Sequence, residues 1–311
     1  AIGSPNNDGN GGNSGQVRVY ENVSGSWYQI GNDIVGLAAG DEFGSSVSLS
    51  ADGETVAIGA PMNNYVKVFE NISGTWIQIG NDINGEFSCD YFGHTASLSA
   101  NGSIVAIGAF RAGGGGPCND GPGQVKIFEN ILGLWTQMGS TIDNNTPSPY
   151  AYDEFGWSVD LNDAGDVLAI GAIGAPNSNI GLVQVFSYLS GIQSWTQIGA
   201  NLEGDNFSEQ FGFSVSLSSD GNTVAIGSGG STGERVRIYQ NVGGSWSQIG
   251  LDIDGEAAND NSGYSVSLSA DGGTVAIGAP GNDGNGLSSG HVRVYNLPSL
   301  TNAGGCDSTA I

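Results

Sequence analysis

The sequence predicts an all-β fold, a β-propeller of four-stranded antiparallel blades, on two observations. The first is composition: 54 of the 311 residues are glycine and 38% are apolar, which is typical of many short strands joined by tight turns around a core. The second is a segment that recurs five times at intervals of roughly 50 residues, the length of one propeller blade. Its copies begin at Phe43, Phe92, Phe155, Phe211 and Ser262.

The recurring segment predicts the first two strands of each blade. In the copy FGSSVSLSADGETVAIGAP, the alternating SVSLS predicts strand a and ADG predicts a tight hairpin turn. TVAIG is a nearly continuous apolar run, which predicts that strand b is buried on both faces.

A second recurring segment predicts the outer half of each blade. In VKVFENISGTWIQIG, VKVF predicts strand c, N-x-S-G predicts a turn, and WIQIG predicts strand d. A polar link such as NDINGEFSCDY then leads to the next strand a. A β-sandwich fits poorly, because sandwiches do not repeat their sequence strand by strand.

The first and last repeats are incomplete. AIGSP at the start of the chain predicts a strand b whose strand a would lie upstream, and the last repeat has no W-x-Q-I-G. We therefore expect a propeller over residues 1–298 with six visible blades. We also expect these residues to belong to a longer protein, in which a seventh blade is possible. Residues 299–311 are expected to be a linker or the start of a following module.

Charge excludes some partners. The net charge is −24 with only seven Lys and Arg residues, so neither nucleic acid nor an anionic membrane surface is an expected partner. No run approaches 18 consecutive apolar residues, which excludes a transmembrane helix. A surface this acidic favours divalent cations or cationic partners.

The pairing of FG with GAP across a hairpin resembles the FG-GAP repeat of the integrin α-chain propeller. Together with W-x-Q-I-G it is similar to FG-GAP repeats in secreted and surface proteins of Bacteroidetes-type bacteria and of some algae. The tail TNAGGCDSTAI resembles C-D-S-T-A segments in modular surface proteins of gliding bacteria. The resemblance implies an extracellular, cell-surface protein with an adhesin likeness. Integrin-type repeats often carry a D-x-D-G-x-x-D calcium loop between strands a and b. Here the turn between these strands is too short, and has too few carboxylates, to enclose a calcium ion.

Three functions are considered. The first is a non-enzymatic extracellular binding or adhesion module of a larger surface protein, whose propeller loops recognise a glycan or protein ligand. The alternative is a structural building block or spacer of a cell-surface filament that contacts neighbouring modules. The third, an enzyme with its active site in the propeller channel, has the least support, because His94 and His291 occupy unrelated strands and the carboxylate pairs recur in every blade.

Two insertions, residues 111–123 and 140–152, are candidates for a ligand rim, because loops on a rigid scaffold usually carry specificity. Trp157 is added because a tryptophan stands at this position in one repeat only. The rim candidates are Arg111, Asn119, Asp120, Tyr150, Tyr152 and Trp157.

Two near-identical loops, NNDGNGGNSG and GNDGNGLSSG, are the calcium candidates. Each carries an Asp-Gly-Asn pattern, Asp8 with Asn10 and Asp283 with Asn285, but neither supplies a bidentate Glu, so a Gly-rich turn is the alternative. We expect that no cofactor is required, and calcium is the cofactor that this loop pattern allows.

Several further residues carry expectations. Cys89 and Cys118 are a candidate disulfide. The FG aromatics and the W-x-Q-I-G tryptophans are expected to pack between blades, and the acids before FG to hydrogen-bond their own turns. In a eukaryotic secreted protein, glycans would attach at Asn22, Asn71, Asn101, Asn144 and Asn206.

Overall fold

The computed structural model describes residues 1–114, 121–144, 152–175 and 179–297. The chain divides into two compact units, Ala1–Asn145 and Thr146–Ile311. In their described residues both units contain β-strands and no helix, so the all-β prediction is confirmed.

The first unit holds an incomplete blade followed by two complete ones. The strands of the incomplete blade are β1 Ile2–Ser4, β2 Gln16–Arg18, β3 Tyr20–Val23, β4 Ser26–Gln29 and β5 Ile34–Val35. Those of the second blade are β6 Ser46–Leu49, β7 Thr55–Ala60, β8 Tyr65–Ile72, β9 Thr75–Gln78 and β10 Ile83–Asn84. Those of the third are β11 Thr95–Leu98, β12 Ile104–Ala109, β13 Gln124–Ile131, β14 Leu134–Gln137 and β15 Ile142–Asp143.

The second unit holds two complete blades and a shorter one. The strands of the fourth blade are β16 Phe155–Leu161, β17 Val167–Ala172, β18 Leu182–Leu189, β19 Ser194–Gln197 and β20 Leu202–Glu203. Those of the fifth are β21 Phe211–Leu217, β22 Thr223–Ser228, β23 Arg235–Val242, β24 Ser245–Gln248 and β25 Ile253–Asp254. Those of the sixth are β26 Ser265–Leu268, β27 Thr274–Ala279 and β28 His291–Asn296.

Each complete blade is an antiparallel sheet in the predicted order a, b, c, d, with one addition. Strand d is divided in two. In the second blade, β9 pairs with the second half of β8 and the short β10 pairs with its first half, so that Ile83 lies opposite Val66. Gly80, with φ of 70°, lies in the bend between the two pieces. The polar link thus begins with a short strand that the sequence pattern did not reveal.

Apolar side chains of strand b form the cores. Every residue of β7, β12 and β22 is buried, as the continuous apolar runs predict. The FG phenylalanines lie between neighbouring blades: Phe43 packs with Val17 of the first blade and with Ile58 of the second. Burying such a side chain contributes about 2 kcal/mol, which explains why this Phe recurs.

The tryptophans of strand d join one blade to the blade before it. The indole Nε1 of Trp76 donates to the carbonyl of Ile30 at 2.9 Å, and Trp135 and Trp246 bond Ile79 and Ile198 in the same way at 3.0 Å. Trp27, in the first blade, is 67% exposed. The prediction that these residues pack between blades is confirmed for the three bonded tryptophans.

Close backbone contact between blades explains one glycine of each repeat. A Cβ on Gly59 would overlap the carbonyl oxygen of Gly93 in the next blade. That same oxygen accepts a hydrogen bond from the Ser46 hydroxyl at 2.8 Å. Gly93 itself has φ of 90°, which a residue with a side chain rarely adopts. The two glycines of the FG and GAP motifs therefore let adjacent blades approach closely.

Candidate functional site

The loop edge of each blade, where the b–c loop and the polar d–a link lie, gathers the charged residues. Six of the seven basic side chains lie on strand c, and each pairs with an acid of its own blade's link or of the link before it. Examples are Arg18 with Asp33 at 2.9 Å and Lys126 with Glu86 at 2.5 Å. The seventh, Arg111, lies over the rings of Tyr91 and Phe110.

The acid before each FG motif is buried, and in four of the five blades the structure shows it holding the turn of its link, as predicted. Asp41 accepts the backbone N–H groups of Leu37 and Ala38, both at 2.9 Å, and the hydroxyl of Tyr65 at 3.0 Å. Burial alone would raise the pKa of Asp41, but these hydrogen bonds, with one from Asn63, outweigh burial and lower it. In the other blades the position is held by Asp90, Asp153, Glu209 and Asp260.

In the fifth blade the acids of the loop edge enclose a cation. The Arg237 side chain is 3% exposed and pairs with Asp205, with Asp252 at 3.2 Å and with fully buried Glu209 at 3.5 Å. Burial alone would lower the pKa of Arg237, but the charges of Glu209 and Asp252 outweigh it and raise the pKa. With three acids around it and little exposure, this cluster is structural.

In the sixth blade the corresponding residues form a second cluster. Glu256 and Asp260 stand where Asp205 and Glu209 stand in the fifth, and Arg293 pairs with Glu256. Asn282 Nδ2 donates to Asp260 Oδ2 at 2.8 Å and to Glu256 Oε2 at 3.3 Å. Glu256 Oε2 also lies 3.8 Å from His291 Nδ1. One amide therefore holds two carboxylates together beside a histidine.

This cluster borders a cavity of about 440 Å³. Its lining includes three acidic residues, Glu256, Asp260 and Asp283, and residues of the 281–288 loop. The volume lies within the range of small-molecule sites. A carboxylate that faces such a cavity can accept a proton from a bound water, so the arrangement is capable of general base catalysis. We name Glu256, Asp260, Asn282, His291 and Arg293 the sixth-blade site.

The predicted calcium residues do not converge. Asp8 Oδ1 accepts the N–H of Asn13 at 2.8 Å, whereas Asn10 Nδ2 donates to the carbonyl of Gly36 at 2.9 Å. In the sixth blade Asp283 Oδ1 accepts the N–H of Ser288 at 2.7 Å in the same turn, and Asn285 bonds through its backbone to Ser289.

These bonds match the Gly-rich turn that was the alternative to calcium. Among the residues that the structure describes, no three His, Cys, Asp or Glu side chains are grouped so that they could hold a metal ion. Calcium therefore stays a prediction.

The predicted ligand rim is described in part. Asn119, Asp120 and Tyr150 lie outside the described residues, and so does Cys118. Cys89 is disulfide-bonded, and its pairing with Cys118 stays a prediction.

Of the other rim candidates, Arg111 lies 5.1 Å from the Tyr91 ring centre and Tyr152 is exposed. Trp157 packs against Phe213 with ring centres 5.4 Å apart.

Sequence reasoning missed two aromatic residues next to Trp157. Phe213 and Tyr264 occupy the same position of the repeat, directly after the FG glycine, and their ring centres are 4.8 Å apart. The available signal was the aromatic residue after this glycine in three successive repeats. The sixth-blade site was missed as well, because Glu256 and Arg293 are far apart in sequence and the acid–base pairing is not visible in a linear pattern.

The predicted glycan acceptors also have turn roles. Asn22 and Asn71 accept the N–H groups of Gly25 and Gly74 at 2.9 and 2.8 Å, which is the turn chemistry expected of N-x-S-G. Asn101 accepts the N–H of Ser103, Asn206 bonds Glu209, and Asn144 is buried. Their modification stays a prediction.

The second histidine is not part of a catalytic arrangement that the structure shows. Burial lowers the pKa of His94 to about 4, so its imidazole is neutral at physiological pH. Its ring packs edge-on against Phe110 at 4.7 Å.

The described residues contain no helix that is long and apolar enough to cross a bilayer.

The comparisons identify both the repeat and the fold. Residues 252–295, which contain the sixth-blade site, match the FG-GAP repeat family, so the FG-GAP resemblance is confirmed there. Among curated proteins, none matches the sequence.

Solved structures with a β-propeller fold are similar along nearly the whole chain. A periplasmic gluconolactonase from Pseudomonas aeruginosa is 15% identical with a TM-score of 0.63, over 95% of this chain and 77% of that one. A Bacteroides uniformis protein assigned provisionally as a 6-phosphogluconolactonase is 13% identical with a TM-score of 0.61, over 92% and 74%. A Lactobacillus plantarum protein is 11% identical with a TM-score of 0.65, over 96% and 77%. At these identities the likeness establishes the fold.

The functional prediction needs a correction. Two of these neighbours are named as lactonases, which are enzymes, and none of the three is named as an adhesin. The interpretation as a non-enzymatic adhesion module, and with it the filament spacer, is therefore wrong. Recurring FG-GAP motifs favoured it, but a repeat that builds blades is needed by any propeller, whatever its chemistry. The chain is a β-propeller that carries an FG-GAP repeat at residues 252–295.

Proposed function

We propose that the protein hydrolyses a small uncharged lactone in the cavity of the sixth blade. The observation that carries the proposal is the position of Glu256, which lines the 440 Å³ cavity and is held by Asn282 and Arg293. The names of the two lactonase neighbours support the reaction class. Glu86 occupies the same place in the third blade and pairs with Lys126.

In the proposed reaction Glu256 acts as the general base. It accepts a proton from a water whose oxygen attacks the lactone carbonyl carbon, and the carbonyl electron pair moves onto its oxygen. When the tetrahedral adduct collapses, the ring C–O bond breaks and the leaving oxygen takes the proton from Glu256, which yields the hydroxy acid. Arg293 and Asn282 position Glu256, and His291 Nδ1 lies 3.8 Å from the same carboxylate oxygen that Asn282 contacts.

Charge supports an uncharged substrate over a phosphorylated one. Three carboxylates, of Glu256, Asp260 and Asp283, line the cavity, and Arg293 is already paired with one of them. No Lys or Arg is among the described residues that line the cavity, so a phosphate group would meet acidic residues without a cation to bind it.

We also propose an extracytoplasmic location. The disulfide bond of Cys89 requires an oxidising compartment in most organisms, and one lactonase neighbour is named as periplasmic. In protein purified without reductant, Cys89 should not react with a thiol reagent, and labelling of Cys89 would count against this location.

The test of the activity is proton release from glucono-δ-lactone at neutral pH, with the spontaneous rate subtracted. Glu256→Gln removes the base and should lower kcat by about 100-fold or more. Glu86→Gln is the matched control, because it changes the same position of the repeat in a blade without this cavity, and it should keep the wild-type rate. No rate above the spontaneous one, or equal losses in both variants, would refute the proposal.

A further inference from the structure

The outer hairpin of the third blade ends in an exposed apolar tip. This hairpin joins β13 to β14, and three side chains at its turn are exposed: Ile131 by 49%, Leu132 by 100% and Leu134 by 61%. In the second blade the residues that correspond to Leu132 and Leu134 are Ser73 and Thr75. We name Ile131, Leu132 and Leu134 the third-blade tip.

Leu132 has a backbone conformation that leucine rarely adopts. Its φ is 54°, in the left-handed region, and for a bulky residue such a value is an outlier. At the same position Ser24 and Ser73 have φ of 53° and 54°, and Gly243 has φ of 62°. The turn therefore forms with small residues, and the leucine neither fills a core nor favours the turn. Such a side chain indicates a role outside the fold.

The a–b turn next to the tip carries no charge, although the protein has a net charge of −24. The two turns are neighbours, because the Asn130 N–H donates to the carbonyl of Ser103 at 2.8 Å. The a–b turn of the third blade, residues 99–103, has the sequence SANGS and contains no acid. The corresponding turns of the second, fourth, fifth and sixth blades carry Asp52, Asp163, Asp220 and Asp271. The third-blade tip therefore suits an apolar environment better than a charged partner.

Polar backbone groups of the tip are bonded within the hairpin. The Gly133 N–H donates to the side-chain oxygen of Asn130 at 2.8 Å, and Ile131 pairs with Leu134 across the turn. A polar group that is already bonded costs less to transfer out of water than a free one. Glu129 is the one acid in the sequence of β13 and β14, and it precedes the tip, where it can stay in water.

The size of the tip favours a lipid surface over a protein partner. A stable protein–protein interface buries about 800 Å² on each partner, which is far more than three side chains on one turn provide. Shallow insertion into a bilayer needs no partner of complementary shape and depends on the apolar area that is buried. Because the protein is acidic, anionic lipids would repel it, so an uncharged lipid surface fits it best.

We propose that the third-blade tip inserts into the surface of a zwitterionic bilayer, with Leu132 at the deepest point. Binding is weak and reversible, because three aliphatic side chains bury no more apolar surface than one acyl chain, which alone gives marginal binding. This interaction goes beyond the lactonase activity and does not depend on it.

The test is flotation of the full chain with phosphatidylcholine vesicles. The bound fraction should rise with lipid concentration until it saturates, and vesicles that also contain phosphatidylglycerol should bind less, because the protein is acidic. Leu132→Asn should weaken binding about tenfold. The same variant should leave the urea midpoint equal or higher, because asparagine tolerates a φ of 54°. Weaker binding without a loss of stability separates the proposed role from a structural one.

Val242→Asn is the matched control. Val242 has the position of Ile131 in the hairpin of the fifth blade and is 64% exposed, but the a–b turn of that blade carries Asp220, so this variant should bind like the wild type. The proposal would be overturned if the wild type did not bind, if Leu132→Asn bound equally well, or if phosphatidylglycerol strengthened binding. Self-association without lipid that Leu132→Asn abolishes would overturn it as well, because the tip would then contact a second copy.

Discussion

The bond between Trp76 and the carbonyl of Ile30 offers a measurable test of how the blades hold together. Trp76→Phe keeps an aromatic ring but removes the indole N–H that donates at 2.9 Å. Losing the bond should cost about 1 kcal/mol. The smaller ring buries less apolar surface against the core between the first two blades, which adds roughly 0.5–1 kcal/mol. We therefore expect the free energy of unfolding to fall by about 1.5–2 kcal/mol.

The assay is urea unfolding followed by circular dichroism. For a slope of about 2 kcal/mol/M, the midpoint should fall by about 0.75–1 M. Trp27→Phe is the matched control, because Trp27 has the same place in the first blade but is 67% exposed. Its effect should remain within about 0.5 kcal/mol. If both variants shifted the midpoint equally, the tryptophans would not act by joining blades, and the reasoning would be refuted.

Three further perturbations test the packing and the loop edges. Gly59→Ala should destabilise the chain by about 3 kcal/mol or more in urea unfolding, because its Cβ overlaps the carbonyl of the next blade, whereas Gly12→Ala, with open space around it, should have little effect. Arg237→Met should lower the free energy of unfolding by about 3–5 kcal/mol, because it leaves the buried charge of Glu209 without its ion pair. Adding Glu209→Gln should restore stability if this is the cause, and an Arg237→Met variant as stable as the wild type would contradict it. Burial would raise the pKa of Asp41, but hydrogen bonds in the folded state outweigh it and lower the pKa. The stability that Asp41 contributes to the fold should therefore be complete above its unfolded pKa of about 3.9 and be lost as pH falls through the lower folded value. Asp41→Asn should flatten that acid limb in unfolding measured against pH, and an unchanged limb would argue against the assignment.

Much of the fold could be predicted because each blade repeats the same physical requirements. Phe43 and its counterparts must fill the space between blades, and Gly59 must admit a neighbouring backbone. Such requirements recur in sequence and can be recognised without a structure. The division of strand d was not predictable, because Ile83 and Asn84 form a strand too short to have a pattern.

The site was less predictable, because it depends on contacts between distant residues. Glu256 and Arg293 meet because the link and strand c share one edge of the sheet, and their neighbours in sequence do not indicate this. Trp157 was selected because it is unusual among the repeats. Its packing against Phe213, and that of Phe213 against Tyr264, depends on contacts between successive blades and is not visible in the sequence. Function was mispredicted because the strongest sequence pattern describes the scaffold, whereas the cavity is formed by one blade.

The proposal that the sixth-blade site hydrolyses a neutral lactone is tested most directly by NMR. The measurement follows glucono-δ-lactone and its 6-phosphate together in one solution, with and without the protein. We predict that the protein speeds the loss of the neutral lactone while the phosphorylated one decays at the rate in buffer, because three carboxylates line the cavity. Decay of both at the buffer rate, or faster loss of the phosphorylated lactone, would contradict the account.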